Sequence, residues 1–397
     1  MAKSTDPFRW FHSSPEVIRL VVMMYARYSP KAKPASMAGR AGDGLAPMTD
    51  PETVRQQSPR TDASIDRALD FLQARQLPHG EFTTLLGRDR TMTQAAPDSA
   101  CFVTTHVLHA LTFVEDPRAA RMIRGASDFL LSQREAGGLW RYWSSRDHKH
   151  ARLGPDLDDT ACASDALRRT GLGAPANHWA FKRMRDSEGR YFTWVLPERL
   201  GAWDLRGRLT LWLVRRKARS RAARVRTPPD EDPRFVVMRI DRDDVDPVVN
   251  ANVLLYLGQG PETEAARRFV SQTVLADVAD FSLYYGDPLM LHYAVARASG
   301  AAPGLRALGP HIVSRIESRL ASGEVLDPLK TSLAVTALSV FAPAARALRT
   351  LVDALLSSQS PDGGWPAAAF YNVFGSEELT TSLCLEALAR TGRNQPS

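Results

Sequence analysis

Very little in this chain speaks for an extracellular or membrane-spanning protein. Its three cysteines, Cys101, Cys162 and Cys384 in 397 residues, are too few and too scattered for a disulfide framework, which favours a reducing cytoplasm. No run of about 18 or more apolar residues occurs, so no segment is expected to cross a bilayer. The short Val17 to Met24 run is poorly flanked for a signal peptide. Strand patterns are nearly absent. What remains, 44% hydrophobic and 24% charged residues, is the make-up of an ordinary globular protein with room for one large domain or two small ones.

The first segment, residues 8–28, has an amphipathic helix pattern and resembles the beginning of insertion-sequence transposases of the DDE type, a likeness that ends by Pro30. Residues 31–59 are rich in Pro, Gly, Ala and Ser without periodicity and read as disordered linker. Residues 1–60 are therefore set apart as a fusion fragment and linker that contribute nothing to function. From about Ala63 the chain repeats itself. Each unit is a helix pattern, a turn rich in Gly, Pro or aromatic residues, and a second helix that starts polar and becomes Ala- and Leu-rich; six such units are counted. Helices apolar around most of their circumference, such as Ser332 to Leu338, belong inside a closed ring, where neighbouring units bury them on several sides. The expected fold is all-α, a single (α/α)6 barrel over residues 63–392 with a basic insertion at 205–243.

In such a ring the starts of the inner helices share one mouth. The most conspicuous of them is Pro155-Asp156-Leu157-Asp158-Asp159-Thr160-Ala161. Carboxylates this crowded have two readings. They cap a helix, accepting its free N–H groups and suiting its dipole, or they perform acid chemistry, because crowded carboxylates in a poorly solvated site cannot all ionise and one keeps its proton. Other polar residues expected at the mouth include Thr105, Asp246, Asn250 and His292.

Asp156 to Ala161 matches the DxDDTA motif of squalene–hopene cyclases and the related DxDD of class II diterpene cyclases, and Gln133 with Gly137-Gly138-Leu139-Trp140 and Gln359 with Gly363-Gly364-Trp365 look like the QW repeats of that superfamily. The resemblance covers roughly residues 63–392. It implies a terpenoid-cyclase toroid and a proton-initiated cyclase or isomerase of a polyprenyl chain, a prenyl diphosphate or a squalene-like triterpene. Asp158 is then the general acid, with Asp156 and Asp159 supporting it. No resident cofactor is implied, with magnesium accompanying a diphosphate substrate. Aromatic faces attract a migrating cation in a dry chamber, and Phe102, Trp143, Tyr191, Trp194, Tyr285 and Tyr371 are taken as substrate-binding candidates together with the polar mouth residues. The family's class II enzymes usually build their cavity between two barrels, whereas this chain has residues for one.

Three alternatives stay open. A non-catalytic barrel would bind a prenyl or peptide partner, using the acids as caps. Protein prenyltransferases and lanthionine cyclases share the barrel and hold zinc through Cys, His and Asp, but the cysteines here lack the spacing of a thiolate pair. The insertion joins Leu209-Thr210-Leu211-Trp212-Leu213-Val214 to Arg215-Arg216-Lys217, and nine basic residues fall between Arg206 and Arg226. Such a segment could rest on an anionic inner membrane from the cytoplasmic side, neutralise a diphosphate, or be a solvated loop. Its aromatics are not interleaved as a nucleic-acid stacking platform requires, so no nucleic-acid partner is expected.

Overall fold

The computed structural model describes residues 51–173, 175–223 and 241–393. The transposase-like segment 8–28 and most of the linker lie outside them, as does the middle of the basic insertion. Helices α1 (Pro51–Arg75), α2 (Cys101–Leu111), α3 (Pro117–Gln133), α4 (Leu157–Arg169), α5 (His178–Arg183), α6 (Leu205–Ala222) and α7 (Pro247–Leu257) are followed by α8 (Glu264–Ala276), α9 (Pro288–Ala298), α10 (Gly309–Ala321), α11 (Pro328–Phe341), α12 (Arg346–Ser358) and α13 (Glu377–Arg393). The first helix starts at Pro51, upstream of the boundary near residue 60 drawn from composition.

Packing closes the ring. Helix α2 touches α4, α4 touches α7, and the sequence of neighbours continues through α9, α11 and α13 back to α2, with α3, α8, α10 and α12 against the outside. The two layers differ in how they are buried. Inner helix α7 is buried from Pro247 to Tyr256 without interruption, whereas outer helix α12 buries only Leu348, Leu351, Val352 and Leu355, the single stripe of a 3.6-residue period. The starts of four of the six inner helices are set by aspartates. Asp156, Asp246, Asp287 and Asp327 each accept a backbone N–H of the first turn, and Pro247, Pro288 and Pro328 follow three of them at the position where proline costs no hydrogen bond.

The repeats share one clamp. The backbone N–H of Phe82, Trp140, Tyr191 and Trp365 donates to Thr104, Thr160, Asn250 and Thr381 respectively, at 2.9–3.1 Å. Each time an aromatic turn residue is fastened to the opening turn of the next inner helix. In the two Gly-Gly-Trp turns the indole N–H also reaches back ten residues, Trp140 to the Leu130 carbonyl and Trp365 to that of Leu355.

The structure contains strands that the sequence pattern does not announce. β1 (Thr84–Leu86), β2 (Ala96–Asp98), β3 (Ala368–Tyr371) and β4 (Phe374–Ser376) form one antiparallel sheet in the order β2-β1-β4-β3. Leu85 pairs with Gly375 and Leu86 with Phe374, so the first and last repeats are sewn together across the ring closure. The β3–β4 hairpin carries Phe370, Tyr371 and Phe374, all buried.

Candidate active site

Asp158 is buried in the first turn of α4, and both its carboxylate oxygens are engaged. Asn252 Nδ2 donates to Oδ1 at 2.7 Å and the Tyr285 hydroxyl donates to Oδ2 at 2.5 Å. The Cys162 thiol, one turn further along, is 4.0 Å from Oδ1. Asp156 caps the helix by accepting the Asp159 N–H at 2.7 Å. Asp159 points inward, and its Oδ1 has no hydrogen-bond partner although it is buried.

Burial raises the pKa of all three acids, but their surroundings differ. Asp156 is pushed up to about 7 by burial and then by the charge of Asp158. Asp159 is pushed further, by burial and by Asp156, to which it is hydrogen-bonded through its side chain. Asp158 is raised by burial while the Tyr285 and Asn252 hydrogen bonds, and then the Arg297 charge, pull the other way. Those donors favour the anion. Of the three, Asp158 is the acid whose two oxygens each meet a side-chain donor, Asn252 and Tyr285, whereas Asp156 accepts from the helix backbone.

Around this carboxyl the walls are aromatic. Phe102, Tyr142, Trp194, Tyr284 and Tyr371 line the space with Thr193, Val249 and the three aspartates. Tyr371 stacks between Tyr142 (centroids 5.4 Å apart, planes at 21°) and Tyr284 (5.5 Å, 5°) and meets Tyr285 edge-on at 5.5 Å. Phe370 reaches deeper, against His106 and Tyr293. The hairpin that carries these two rings fills the mouth. Its turn is fastened by the Asn372 N–H to the Tyr284 carbonyl at 2.8 Å. The free cavity beside the acids is about 10 Å³, about enough for one water molecule.

Of the sequence-derived candidates, Phe102, Trp194 and Tyr371 line this space with the acids. Tyr285 holds Asp158 through its hydroxyl, a role the sequence does not suggest. Asp246 lies nearby, electrostatically coupled to Asp158, with its oxygens taken by the Val248 and Val249 N–H groups and by Ser282.

The other candidates lie elsewhere and require correction. Asn250 is the repeat clamp, exchanging hydrogen bonds with the backbone of Tyr191, and the Tyr191 hydroxyl points away to the Glu262 carbonyl. Thr105 closes on the Cys101 carbonyl of its own helix. His292 is buried among groups of α10, with His311 and Arg319 as electrostatic neighbours, and burial lowers its pKa to about 4. Trp143 donates to Asp98 at 3.0 Å outside the chamber. Its neighbour Tyr142 lines the wall instead. Asn252, Tyr142, Tyr284 and Phe370 complete the site without having been singled out. Among the described residues no group of three His, Cys, Asp or Glu side chains is placed to hold a metal ion.

No family model matches the sequence, and no curated protein sequence matches it. Solved structures do match. The type II terpene cyclase MstE from Scytonema superposes in its apo form with a TM-score of 0.59 at 16% identity, covering 84% of this chain and 99% of that one. A point variant of MstE in complex with its substrate, geranylgeranyl dihydroxybenzoate, gives 0.62 at 16% identity over 85% and 99%. Another, in complex with the product merosterolic acid A, gives 0.61 at 16% identity over 86% and 99%. The fold of this chain is thus the (α/α) toroid of the terpenoid cyclases, and a single barrel spans nearly all of the cyclase it resembles. No helix among the described residues is long and apolar enough to cross a membrane.

Proposed function

We propose that this chain is a class II terpene cyclase or isomerase, in which Asp158 protonates an alkene of an isoprenoid chain. The observation that supports this most is the setting of that carboxyl: buried, walled by aromatic rings, and held at both oxygens by Asn252 and Tyr285. Protonation forms a C–H bond with one alkene carbon, leaves the cation on the other, and leaves the electron pair of the broken O–H bond on Asp158. The two donors stabilise that carboxylate, and the faces of Tyr142, Tyr284 and Trp194 attract the migrating charge. Burial and their mutual charge raise the pKa of Asp156 and Asp159 as well, which favours the neutral forms of the acids beside Asp158. The similarity to MstE, a cyclase of a prenylated aromatic acid, supports a single barrel as sufficient for such chemistry.

A cavity of about 10 Å³ holds no isoprenoid. In this reading the substrate displaces the aromatic side chains of the β3–β4 hairpin, whose strands are three and four residues long. The same packed mouth supports a second reading, a barrel that binds a prenyl or peptide partner without chemistry and uses its acids as caps.

Incubation with farnesyl and geranylgeranyl diphosphates, squalene and geranylgeranyl dihydroxybenzoate, with and without magnesium, followed by mass-spectrometric analysis of cyclic products, decides between them. The cyclase reading expects product from wild type and none from Asp158→Asn. Identical behaviour of the two proteins on every substrate, with a prenyl ligand nevertheless bound, establishes the second reading.

A further inference from the structure

Helix α6 carries two stripes on opposite sides. Gly207, Leu211, Val214 and Ala218 recur at spacings of four, three and four and are buried, anchoring the helix on the barrel beside the turn His148–Ala151. Opposite them, Leu205, Leu209 and Trp212 recur at spacings of four and three and stand in solvent, 72%, 58% and 52% exposed, with Trp203 just before the helix at 93%. Of the eleven large apolar side chains exposed among the described residues, five lie between Trp203 and Leu213. Scattered singly such residues need no explanation; gathered on one face they mark a contact surface.

The helix itself carries charge of one sign. From Leu205 to Ala222 there is no acidic residue. By 100° steps around the helix Arg208, Arg215 and Arg219 flank one edge of the apolar stripe and Arg206 and Lys217 the other, while Arg216 continues the line of the stripe itself. Arg216 also lies over the Trp212 ring at 5.3 Å. Next to the stripe a groove of about 640 Å³ opens between α6 and the turn after α3, lined by Leu213 and Val214, by Arg134, Arg216 and Lys217, and by Glu135, whose carboxylate is already paired with Arg141.

We infer that α6 docks the protein on an anionic lipid bilayer, its Leu205-Leu209-Trp212 stripe entering the headgroup boundary and the flanking arginines pairing with lipid phosphates. A soluble protein partner of matching acidity would satisfy the charges, but four bulky apolar groups, two of them indoles, standing between two basic edges suit a membrane interface. The helix lies flat because its opposite face is already bound to the barrel. The inference concerns the outside of the ring and does not depend on any chemistry inside it.

Vesicle co-sedimentation of the full chain tests this, with phosphatidylcholine alone and with phosphatidylglycerol added. Wild type is expected to partition into the anionic vesicles, weakly or not at all into the neutral ones, and less as salt rises. Arg208→Ala and Arg219→Ala should each weaken partition about fivefold, and Leu209→Asp with Trp212→Asp should abolish it while circular dichroism stays unchanged. Absence of partition by wild type, equal partition into neutral vesicles, or an unaltered double variant overturns the proposal. Concentration-dependent dimerisation lost in the double variant, without vesicle binding, assigns the face to a second copy and overturns it too.

Discussion

Asp246 offers the sharpest quantitative test of how this mouth is built. Its Oδ1 accepts the N–H groups of Val248 at 2.7 Å and Val249 at 3.2 Å, its Oδ2 accepts the Ser282 hydroxyl, and burial pushes its pKa from 3.8 up to about 8. A carboxyl that keeps its proton in the fold, but loses it in the unfolded chain, favours unfolding as the pH rises. Stability associated with this group is complete below about pH 4, drains away across neutrality, and is gone above about pH 8. The full span from 3.8 to about 8 is worth roughly 6 kcal/mol. Asp246→Asn keeps the shape and the acceptor for both N–H groups but cannot ionise. Urea unfolding of wild type and variant at pH 5 and pH 8, followed by near-ultraviolet circular dichroism, should show a gap that widens with pH in favour of the variant by several kcal/mol. The other buried acids act in both proteins and cancel. Stability curves that run parallel from pH 5 to pH 8 would refute the argument.

Three further outcomes follow from the same contacts. Tyr285→Phe removes one of two donors to Asp158, a charge-assisted bond worth about 1.5–3 kcal/mol, so cyclisation should slow about tenfold to a hundredfold. The pKa of the acid should rise as well, and the pH at which activity is lost to ionisation should move upward in the kcat profile. Gly363→Ala should destabilise by about 3 kcal/mol or more in a thermal melt, because this residue has φ +92° and an added Cβ would lie 2.4 Å from the Arg67 carbonyl oxygen. Glu386→Gln should cost about 3–5 kcal/mol in urea. Burial alone would raise that carboxyl's pKa, but Arg390, His109 and Arg297 hold it well below its ordinary value, and neutralising it leaves the buried Arg297 guanidinium without that counter-charge.

The architecture was legible because its determinants are local. An aspartate and a proline ahead of an apolar run state where an inner helix begins, and six units of similar pattern state the ring. The sheet was not, since strands of three or four residues are too short to show alternation and their partners come from opposite ends of the chain. The acidic motif was legible by its density of charge and by its likeness to a known motif. What surrounds it was not. Asn252 meets Asp158 across 94 residues of sequence, and nothing in the spacing of Asn250 and Asn252 reveals that the first fastens a turn while the second faces the acid. Trp143 and Tyr142 are adjacent aromatics, and only their tertiary neighbours, Asp98 for the first and Tyr371 for the second, tell which one faces the acids. Of the polar residues predicted for the mouth, Asp246 lies near the acids, whereas Thr105 and Asn250 spend their hydrogen bonds on nearby backbone, as buried polar groups must when no water reaches them.

The packed chamber and the raised pKa of Asp158 are consequences of one condition, the exclusion of water. Tyr371, Phe370 and the facing tyrosines withdraw Asp158 from solvent, and that withdrawal raises its pKa. An occupant that replaced those rings with its own hydrocarbon would keep the surroundings apolar and the proton in place. A polar occupant would bring in dipoles, solvate the carboxylate and remove the reason for the proton to stay. In the cyclase reading, an isoprenoid chain that took the place of the hairpin's rings would preserve the apolar surroundings that raise the pKa of Asp158.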